Sequence, residues 1–571
     1  MLRLRRLYFY LVLYISLAMV LTGLATVLRV LLEQMLGAAS SGISFGLFAG
    51  REQFREQTAF GIALVLIGLP VWALHWRAVG GWLVGPGEHD ERASALRRLY
   101  LYAVLLTTAL TAYVAGRDLL EHVLGLPLGL ARGSEQLVGV ARSLPYLVIA
   151  APFWVYHWRL AAADRALVGE TGASATLRRW YVYGLIVAGV VPLMVNLASL
   201  LQQVWVGLVD RAALAEVGAA ASAHTVAASS ATALVALGVW LFHRGCAEAA
   251  VEQPIWYGES EQRSVLRKVC LYGLVLGTVG WVLFNASQVL RYGFLAVLGV
   301  APQAVGGAPV LVALAASLAN LVVFGAFWAY YWRAVNQEAA AAGEAGRQAS
   351  VRRIYFYFVS LVALALLAQS LAGLLRLLAE LALQAPLVDP AALRRTLATE
   401  ASGLVIALPV WLYHWGRIQR LVGGPGGEEE TRATTRRWYL YVVIFAAVVL
   451  LLTNSARIVY ELTLTALGRA WEPTLPLRLA ALALDGAVAA ALLWYHWWLV
   501  LRADLAALRQ TARATAGVAV VAGLDAAAAE ALTRFARESL PGARVKLYWT
   551  DEAHVRELVG RVAGNEGPRL P

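Results

Sequence analysis

Residues 97–102 read RRLYLY, and residues 154–159 read WVYHWR. One long apolar run, Leu99–Ala115, follows the first motif, and a second, Tyr146–Trp158, ends in the second motif. About 20 apolar residues span the hydrocarbon core of a bilayer as a helix, and flanking semi-polar residues lengthen the shorter runs. The stretch therefore predicts a hairpin of two transmembrane helices with arginine at its open end.

The same two motifs recur along the chain. RRxYxY or a near copy begins at Arg5, Arg97, Arg178, Arg267, Arg352 and Arg436. WxxHWR or a looser form of it begins at Trp72, Trp154, Trp240, Trp328, Trp411 and Trp494. Two motifs repeating in register predict twelve transmembrane helices in six tandem parallel hairpins, an all-α membrane fold. The predicted hairpin repeats are residues 1–90, 91–171, 172–260, 261–345, 346–430 and 431–502.

Composition supports a membrane class. Of 571 residues, 60% are apolar and 15% are charged, against about 25% charged in soluble domains. The mean hydropathy is +0.64. These values exclude a soluble multidomain protein and a disordered chain. The runs lack period-two alternation, which excludes a β-barrel. Two cysteines, Cys246 and Cys270, supply neither a disulfide framework nor a CxxC metal site.

Positive charge predicts the orientation. The formal net charge is +12, and 34 of the 48 Lys and Arg residues lie on the side of the motifs, against 14 on the other side. The positive-inside rule predicts that this side, with both termini, lies in the cytoplasm. We expect contacts with the lipid bilayer and its anionic headgroups on that side, and none with nucleic acid. The first run is predicted to be a membrane helix and not a signal peptide, because its start recurs five times.

The connections are of three kinds. The cytoplasmic links Gly85–Ser94 and Gly423–Thr435 are short and contain Gly, Pro and acid, which is typical of turns. The opposite links, such as Gly37–Gln57 and Gly125–Ser143, are longer and have room for surface helices or lids. After Arg502 the pattern changes, and residues 503–571 predict a small cytoplasmic α/β appendage with strands at Val518–Val521 and Arg544–Thr550.

A histidine recurs in the second motif of five repeats. The favoured interpretation is an imidazole at the interface, beside tyrosines and tryptophans that form an aromatic belt in the headgroup layer. Axial haem ligands and a pH sensor are the alternatives. Tyr331 holds the position in the fourth repeat. The five are His75, His157, His243, His414 and His496.

Four repeats carry an arginine and a glutamate four residues apart late in the first helix. This spacing places both side chains on one helix face. They are interpreted as snorkelling side chains that mark the outer end of the span, or as a ring of charge at an outer mouth. The pairs are Arg29/Glu33, Arg117/Glu121, Arg376/Glu380 and Arg457/Glu461.

Polar residues within the apolar runs are the candidate transport positions. Asp485 is the only acid well inside a predicted span, which makes it either a functional group or a hydrogen-bonded partner of Arg or Asn. Four amides lie 17 or 18 residues into their first helices, where interhelical hydrogen bonding or a pore contact is expected. These are Asn196, Asn285, Gln369 and Asn454.

The RRxYxY…WxxHWR unit resembles a bacterial polytopic membrane family of unknown function. The resemblance covers about residues 1–500; WLFHRG in the third repeat, and RKVCLY and WAYYWR in the fourth, depart from it. It implies a location in the bacterial cytoplasmic (inner) membrane, and no activity and no site residues.

The sequence contains no nucleotide-binding loop, zinc-protease or hydrolase motif. It therefore predicts no enzyme activity, no catalytic residues, no metal and no cofactor. The favoured function is a membrane scaffold or accessory subunit with other membrane proteins as partners. The alternatives are a transporter or channel that uses Asp485, and a haem-binding electron-transfer protein.

Overall fold

A computed structural model describes residues 2–35, 47–85, 87–130, 134–209, 219–252, 261–300, 310–342, 347–383, 389–424 and 427–507, with the short segments 519–522, 534 and 546–549. Within these residues, twelve long helices are apolar enough to cross a membrane. The chain is a multi-pass membrane protein, as the sequence predicts. The helices are Leu2–Met35 (α1), Leu47–Trp82 (α2), Ala95–Gly125 (α3), Ser134–Val168 (α4), Gly172–Val209 (α5), Ala219–Glu252 (α6), Val265–Val297 (α7), Val310–Ala342 (α8), Arg347–Ala382 (α9), Pro390–Val422 (α10), Thr434–Ala466 (α11) and Leu475–Leu493 (α12).

The helices extend beyond the apolar runs at both ends. Helix α2 already begins at Leu47 and α4 at Ser134, so much of the two longer predicted links is helical. The sequences there, LFAGREQFREQ and SEQLVGVARS, are rich in good helix formers. The predicted turns on the motif side also contain short helices, Glu88–Arg92 and Gly427–Arg432. Helix α12 continues into a π-helix, Trp494–Leu501.

The chain divides into two compact units. The first comprises Met1–Tyr355 and Pro390–Ile406. Within it, α1 packs on α2, α3 on α4, α5 on α6 and α7 on α8. Helices α1, α3 and α5 also pack on α3, α5 and α7, respectively, and contact α4, α6 and α8 of the following repeat. One packing rule therefore joins successive hairpins.

Small residues allow close packing in these hairpins. A Cβ atom at Gly23 of α1 would lie 2.6 Å from the carbonyl oxygen of Gly61 in α2, and one at Gly189 of α5 would lie 2.8 Å from the backbone nitrogen of Trp240 in α6. Helices in lipid associate through such contacts, because apolar side chains gain nothing by leaving the acyl chains.

The second unit comprises Phe356–Asp389 and Ala407–Pro571. In it, α11 packs on α12, and Arg376 of α9 contacts Asp485 of α12. The described part of the tail contains two short parallel strands, Ala519–Ala522 (β1) and Lys546–Trp549 (β2), with Ala519 opposite Lys546. Most of residues 503–571 lies outside the described residues, and the α/β appendage stays a prediction.

Candidate functional site

Two regions in the described part of the chain are candidate sites. The motif end is the end of the hairpins at which RRxYxY and WxxHWR lie. The distal cavity lies in the second unit, between α9, α11 and α12.

At the motif end, an acidic residue in the link that follows a repeat contacts the start of that repeat's first helix. We call Glu91, Glu170, Glu261 and Glu430 the linker acids. Each accepts a hydrogen bond from the last tyrosine of the preceding RRxYxY motif. The pairs are Tyr10–Glu91 at 2.5 Å, Tyr102–Glu170 at 2.9 Å, Tyr183–Glu261 at 2.8 Å and Tyr357–Glu430 at 3.0 Å.

In three repeats the second motif arginine reaches the same acid. Arg6 lies 2.7 Å from Glu91, Arg98 lies 3.5 Å from Glu170, and Arg179 lies 3.1 Å from Glu261. The motif therefore closes its own hairpin. The interpretation of these tyrosines as an aromatic belt is wrong for the four that bind linker acids, because all four are buried; Trp180 and Trp438 are exposed, as a belt requires.

In three repeats the first motif arginine pairs with a different acid, which the sequence analysis did not predict. Arg97 donates to Asp164 at 2.6 Å, Arg267 to Glu338 at 2.9 Å, and Arg436 to Asp504 at 2.6 Å. In the first repeat, Arg5 instead lies 4.6 Å from the ring centroid of Trp82.

These partners share a register. Trp82, Asp164 and Glu338 each lie seven residues after the histidine position of their repeat, whereas Asp504 lies eight residues after His496. The π-helix between His496 and Asp504 accommodates the extra residue. Alignment of the repeats on the histidine position is the signal that would have revealed this acid.

Glu261 accepts hydrogen bonds from three side chains, those of Arg178, Arg179 and Tyr183. Arg178 lies 2.6 Å from it and also 2.8 Å from Glu170, so one guanidinium joins two linker acids. Burial raises the pKa of Glu261, but Arg178, the Tyr183 hydroxyl and Arg179 outweigh burial and hold that pKa below its ordinary value of 4.5. The negatively charged Glu261 therefore links consecutive hairpins through ion pairs and hydrogen bonds.

Most of the signature histidines are buried within the protein, where the sequence predicts rings at the membrane interface. Four of them, His157, His243, His414 and His496, are buried. In all five, Nδ1 lies 2.7–2.9 Å from the carbonyl oxygen four residues earlier, which an Nδ1–H donor satisfies.

The second ring nitrogen often meets the first tyrosine of RRxYxY. Nε2 lies 3.4 Å from the Tyr100 hydroxyl in His157 and 3.2 Å from the Tyr181 hydroxyl in His243. In those two repeats both ring nitrogens have partners, which argues against axial haem ligation there. Among the described residues, no group of three or more His, Cys, Asp and Glu side chains is arranged to hold a metal ion.

The tryptophans of WxxHW link successive repeats. In four repeats the two tryptophans, four residues apart, stack with centroids 5.6–6.5 Å apart. Indole N–H groups then donate across to the next repeat. These bonds are Trp154 to Tyr181 at 2.8 Å, Trp240 to Tyr331 at 2.9 Å and Trp415 to Tyr495 at 2.7 Å.

The distal cavity brings together several of the candidate transport positions. It has a volume of about 530 Å³. The α11 residues that line the cavity are spaced i, i+3, i+4 and i+7, so they lie on one face of that helix. Asp485, Asn454 and Gln369 all line it, whereas Asn285 lies in the first unit. The remaining polar lining is Arg376, Thr453 and Arg457.

Asp485 has a specific partner in this cavity. One terminal nitrogen of Arg376 donates to both of its carboxylate oxygens, at 2.8 and 2.9 Å. Arg376 therefore reaches along the span to Asp485 and does not serve only as an outer marker. Asp485 lies eleven residues before His496, or about 16 Å along the helix.

The other outer arginine–glutamate pairs differ from one another. Among the described residues, the expected i,i+4 ion pair forms only in the second repeat, with Arg117 2.9 Å from Glu121. Arg29 donates to Gln57 at 2.8 Å, and Glu33 pairs with Arg142 at 3.3 Å. Glu461 pairs with Arg469 and Arg478, each at 3.4 Å.

Two of the amides bond within their own helices. Asn196 donates to the Pro192 carbonyl and Asn285 to the Trp281 carbonyl, both at 2.8 Å. A hydrogen bond between helices is instead donated by the Trp281 indole of α7 to Asn320 of α8, at 2.9 Å. Neither Asn196 nor Asn285 lines the distal cavity.

The fold and these contacts define a helical membrane protein built from repeated hairpins. The family described as "Domain of unknown function (DUF5671)" matches it over residues 6–140, 129–223, 203–313, 301–386 and 353–495. The chain belongs to this family, and the five successive matches agree with tandem repetition. No curated protein and no solved structure matches the chain.

Proposed function

We propose that the protein is a membrane transport protein, without enzymatic activity, that passes a small polar solute through the distal cavity. The cavity carries this proposal: Asp485, Asn454 and Gln369 come from three different membrane helices and line one space. Ligand sites of this kind are mostly apolar with a few convergent polar groups, and about 530 Å³ suits a small molecule.

Intramembrane charge supports this proposal over purely structural packing. Placing ionisable groups within the span is costly, and such groups commonly mark a solute pathway. Asp485 and Arg376 remain 26% and 38% exposed at their side chains, so the pair borders open space and can be approached by a solute. A scaffold or accessory-subunit role is the weaker proposal, because none of the described contacts points to a particular partner.

The transport proposal predicts that Asp485→Asn lowers solute flux at least about tenfold, because a lost charge-assisted bond at the pathway costs one decade or more. Flux is measured in proteoliposomes with a panel of radiolabelled phosphate, succinate, alanine and rubidium. Asp118→Asn, in the second repeat, is the control and should leave flux unchanged. Wild-type flux equal to that of protein-free vesicles across the whole panel would refute the proposal.

We also propose that the motif end faces the cytoplasm of a bacterial inner membrane, with both termini inside. The arginine excess on that side supports this orientation. In a chain with Cys246→Ser and Cys270→Ser, Val84→Cys should react with an impermeant maleimide only in inverted vesicles, and Trp471→Cys only in intact cells. Both positions are exposed. Labelling of both from one side would contradict the paired-hairpin topology.

A further inference from the structure

We infer that the distal cavity binds an anion through a carboxylate or phosphate group, with Arg457 as its direct ligand. This inference rests on the proposed function in that it names the class of solute for the same site. The binding chemistry itself does not depend on transport.

The charges that line the cavity do not balance. They are the cations Arg376 and Arg457 and the anion Asp485. Both oxygens of Asp485 are bound by Arg376. This leaves one positive charge, on Arg457, without an acidic partner in the part of the chain that the structure describes.

The acids one helical turn beyond the two cavity arginines pair with other residues or lie outside the cavity lining. Glu461, one turn beyond Arg457, is shared by Arg469 and Arg478. Glu380, one turn beyond Arg376, is not part of the cavity lining. The Arg457 side chain is exposed and lies toward the outer end of the span, so an anion that enters the cavity can reach it and neutralise its charge.

In the second repeat, an arginine at a similar position is neutralised by protein carboxylates. Arg117 lies 20 residues after the first motif arginine of its repeat, and Arg457 lies 21 residues after its own. Arg117 is held by Asp118 at 3.0 Å and by Glu121 at 2.9 Å. Two arginines at nearly the same spacing from their motifs thus differ in that protein carboxylates pair with Arg117.

The other polar lining groups suit an anion. Asn454 and Gln369 contribute amide N–H donors and Thr453 contributes a hydroxyl, and Asn454 is buried among the cavity helices. Guanidinium binds carboxylate and phosphate in a planar, two-pronged geometry that lysine does not reproduce. A cation in the same space would be repelled by Arg457.

A soluble anion and the headgroup of an anionic lipid share this chemistry, and the experiment separates them. The full-length protein is placed in nanodiscs of phosphatidylcholine. Binding of inorganic phosphate and of succinate is measured by the shift in thermal unfolding midpoint at constant ionic strength. In a second arm, phosphatidylglycerol is titrated into the nanodiscs without added phosphate or succinate.

We expect one of these probes to raise the midpoint of wild type. Arg457→Gln should weaken that binding about tenfold or more, because a charged hydrogen bond is worth at least one decade. Arg457→Lys should restore part of it, and Arg117→Gln should leave it unchanged. Midpoints without ligand show whether each variant folds.

The result that overturns the inference is equal stabilisation of wild type and Arg457→Gln by every anion, or none by any. Binding that depends on Arg457 without flux would refute the transport proposal alone. Flux of neutral or cationic solutes that is insensitive to Arg457→Gln would refute the anion inference alone.

Discussion

Asp164→Ala is expected to lower the free energy of unfolding by about 3–5 kcal/mol, the cost of breaking a buried ion pair from one side. Arg97 and Asp164 are both fully buried and lie 2.6 Å apart. Arg92 donates to the other carboxylate oxygen of Asp164, also at 2.6 Å. Removing the carboxylate leaves the guanidinium of Arg97 charged and buried without this counter-ion. The loss is measured by denaturant titration of the purified protein in detergent micelles.

The matched control is a pair of the same type at the surface. Arg244 and Glu248 lie 2.8 Å apart, four residues apart on α6, with side chains 35% and 53% exposed. Glu248→Ala should cost less than about 1 kcal/mol, because solvent screens such a pair. The double variant Arg97→Met, Asp164→Leu should recover most of the loss, because a buried apolar pair carries no desolvation penalty. If Asp164→Ala cost no more than Glu248→Ala, Asp164 would not be the buried counter-ion that the fold requires.

The sequence was sufficient to predict the twelve spans. Apolar runs bounded by arginine recur six times, and lipid leaves a backbone of this length few alternatives to helix. It also singled out Asp485, because an acid among so many apolar residues is conspicuous. It did not predict that Asp485, Asn454 and Gln369 line one space, because helical periodicity gives the face of a residue on its own helix and not the neighbouring helix.

The network at the motif end was missed for a different reason. An acid beside an arginine-rich helix end normally lies in water, so the sequence predicts only turns for the links that contain Glu91 and Glu430. Their burial follows from the packing of successive hairpins, which lies beyond local pattern. In the last repeat, the π-helix also shifts Asp504 by one residue relative to Asp164 and Glu338, which hides the shared register.

The histidine position shows how far residue type alone can mislead. An imidazole between tryptophan and arginine is typical of the headgroup layer, yet four of these rings are buried. The bond from Nδ1 to the preceding turn leaves Nε2 directed at neighbouring aromatic side chains. This choice depends on tertiary contacts with the first tyrosine of RRxYxY, 57 residues away in the sequence for Tyr100 and His157.

Glu261→Gln is expected to destabilise the protein by about 2–4 kcal/mol at neutral pH, because three donors lose their charged acceptor. The donors are Arg178, Arg179 and Tyr183. The pKa of Glu261 in the folded protein lies below its ordinary value of 4.5. The carboxylate therefore contributes stability that is fully present above pH 4.5 and is lost as the pH falls through the folded pKa.

The test is the pH dependence of the difference between wild type and Glu261→Gln. Unfolding in detergent is measured from pH 7.5 down to the acid limit at which the protein remains dispersed. The difference should be constant above pH 4.5 and shrink below it, because protonated glutamate and glutamine then present similar neutral groups. Glu248→Gln, at the exposed pair, should show little difference at any pH. A difference for Glu261→Gln that stayed the same throughout the acid range would mean that shape, and not charge, holds this link.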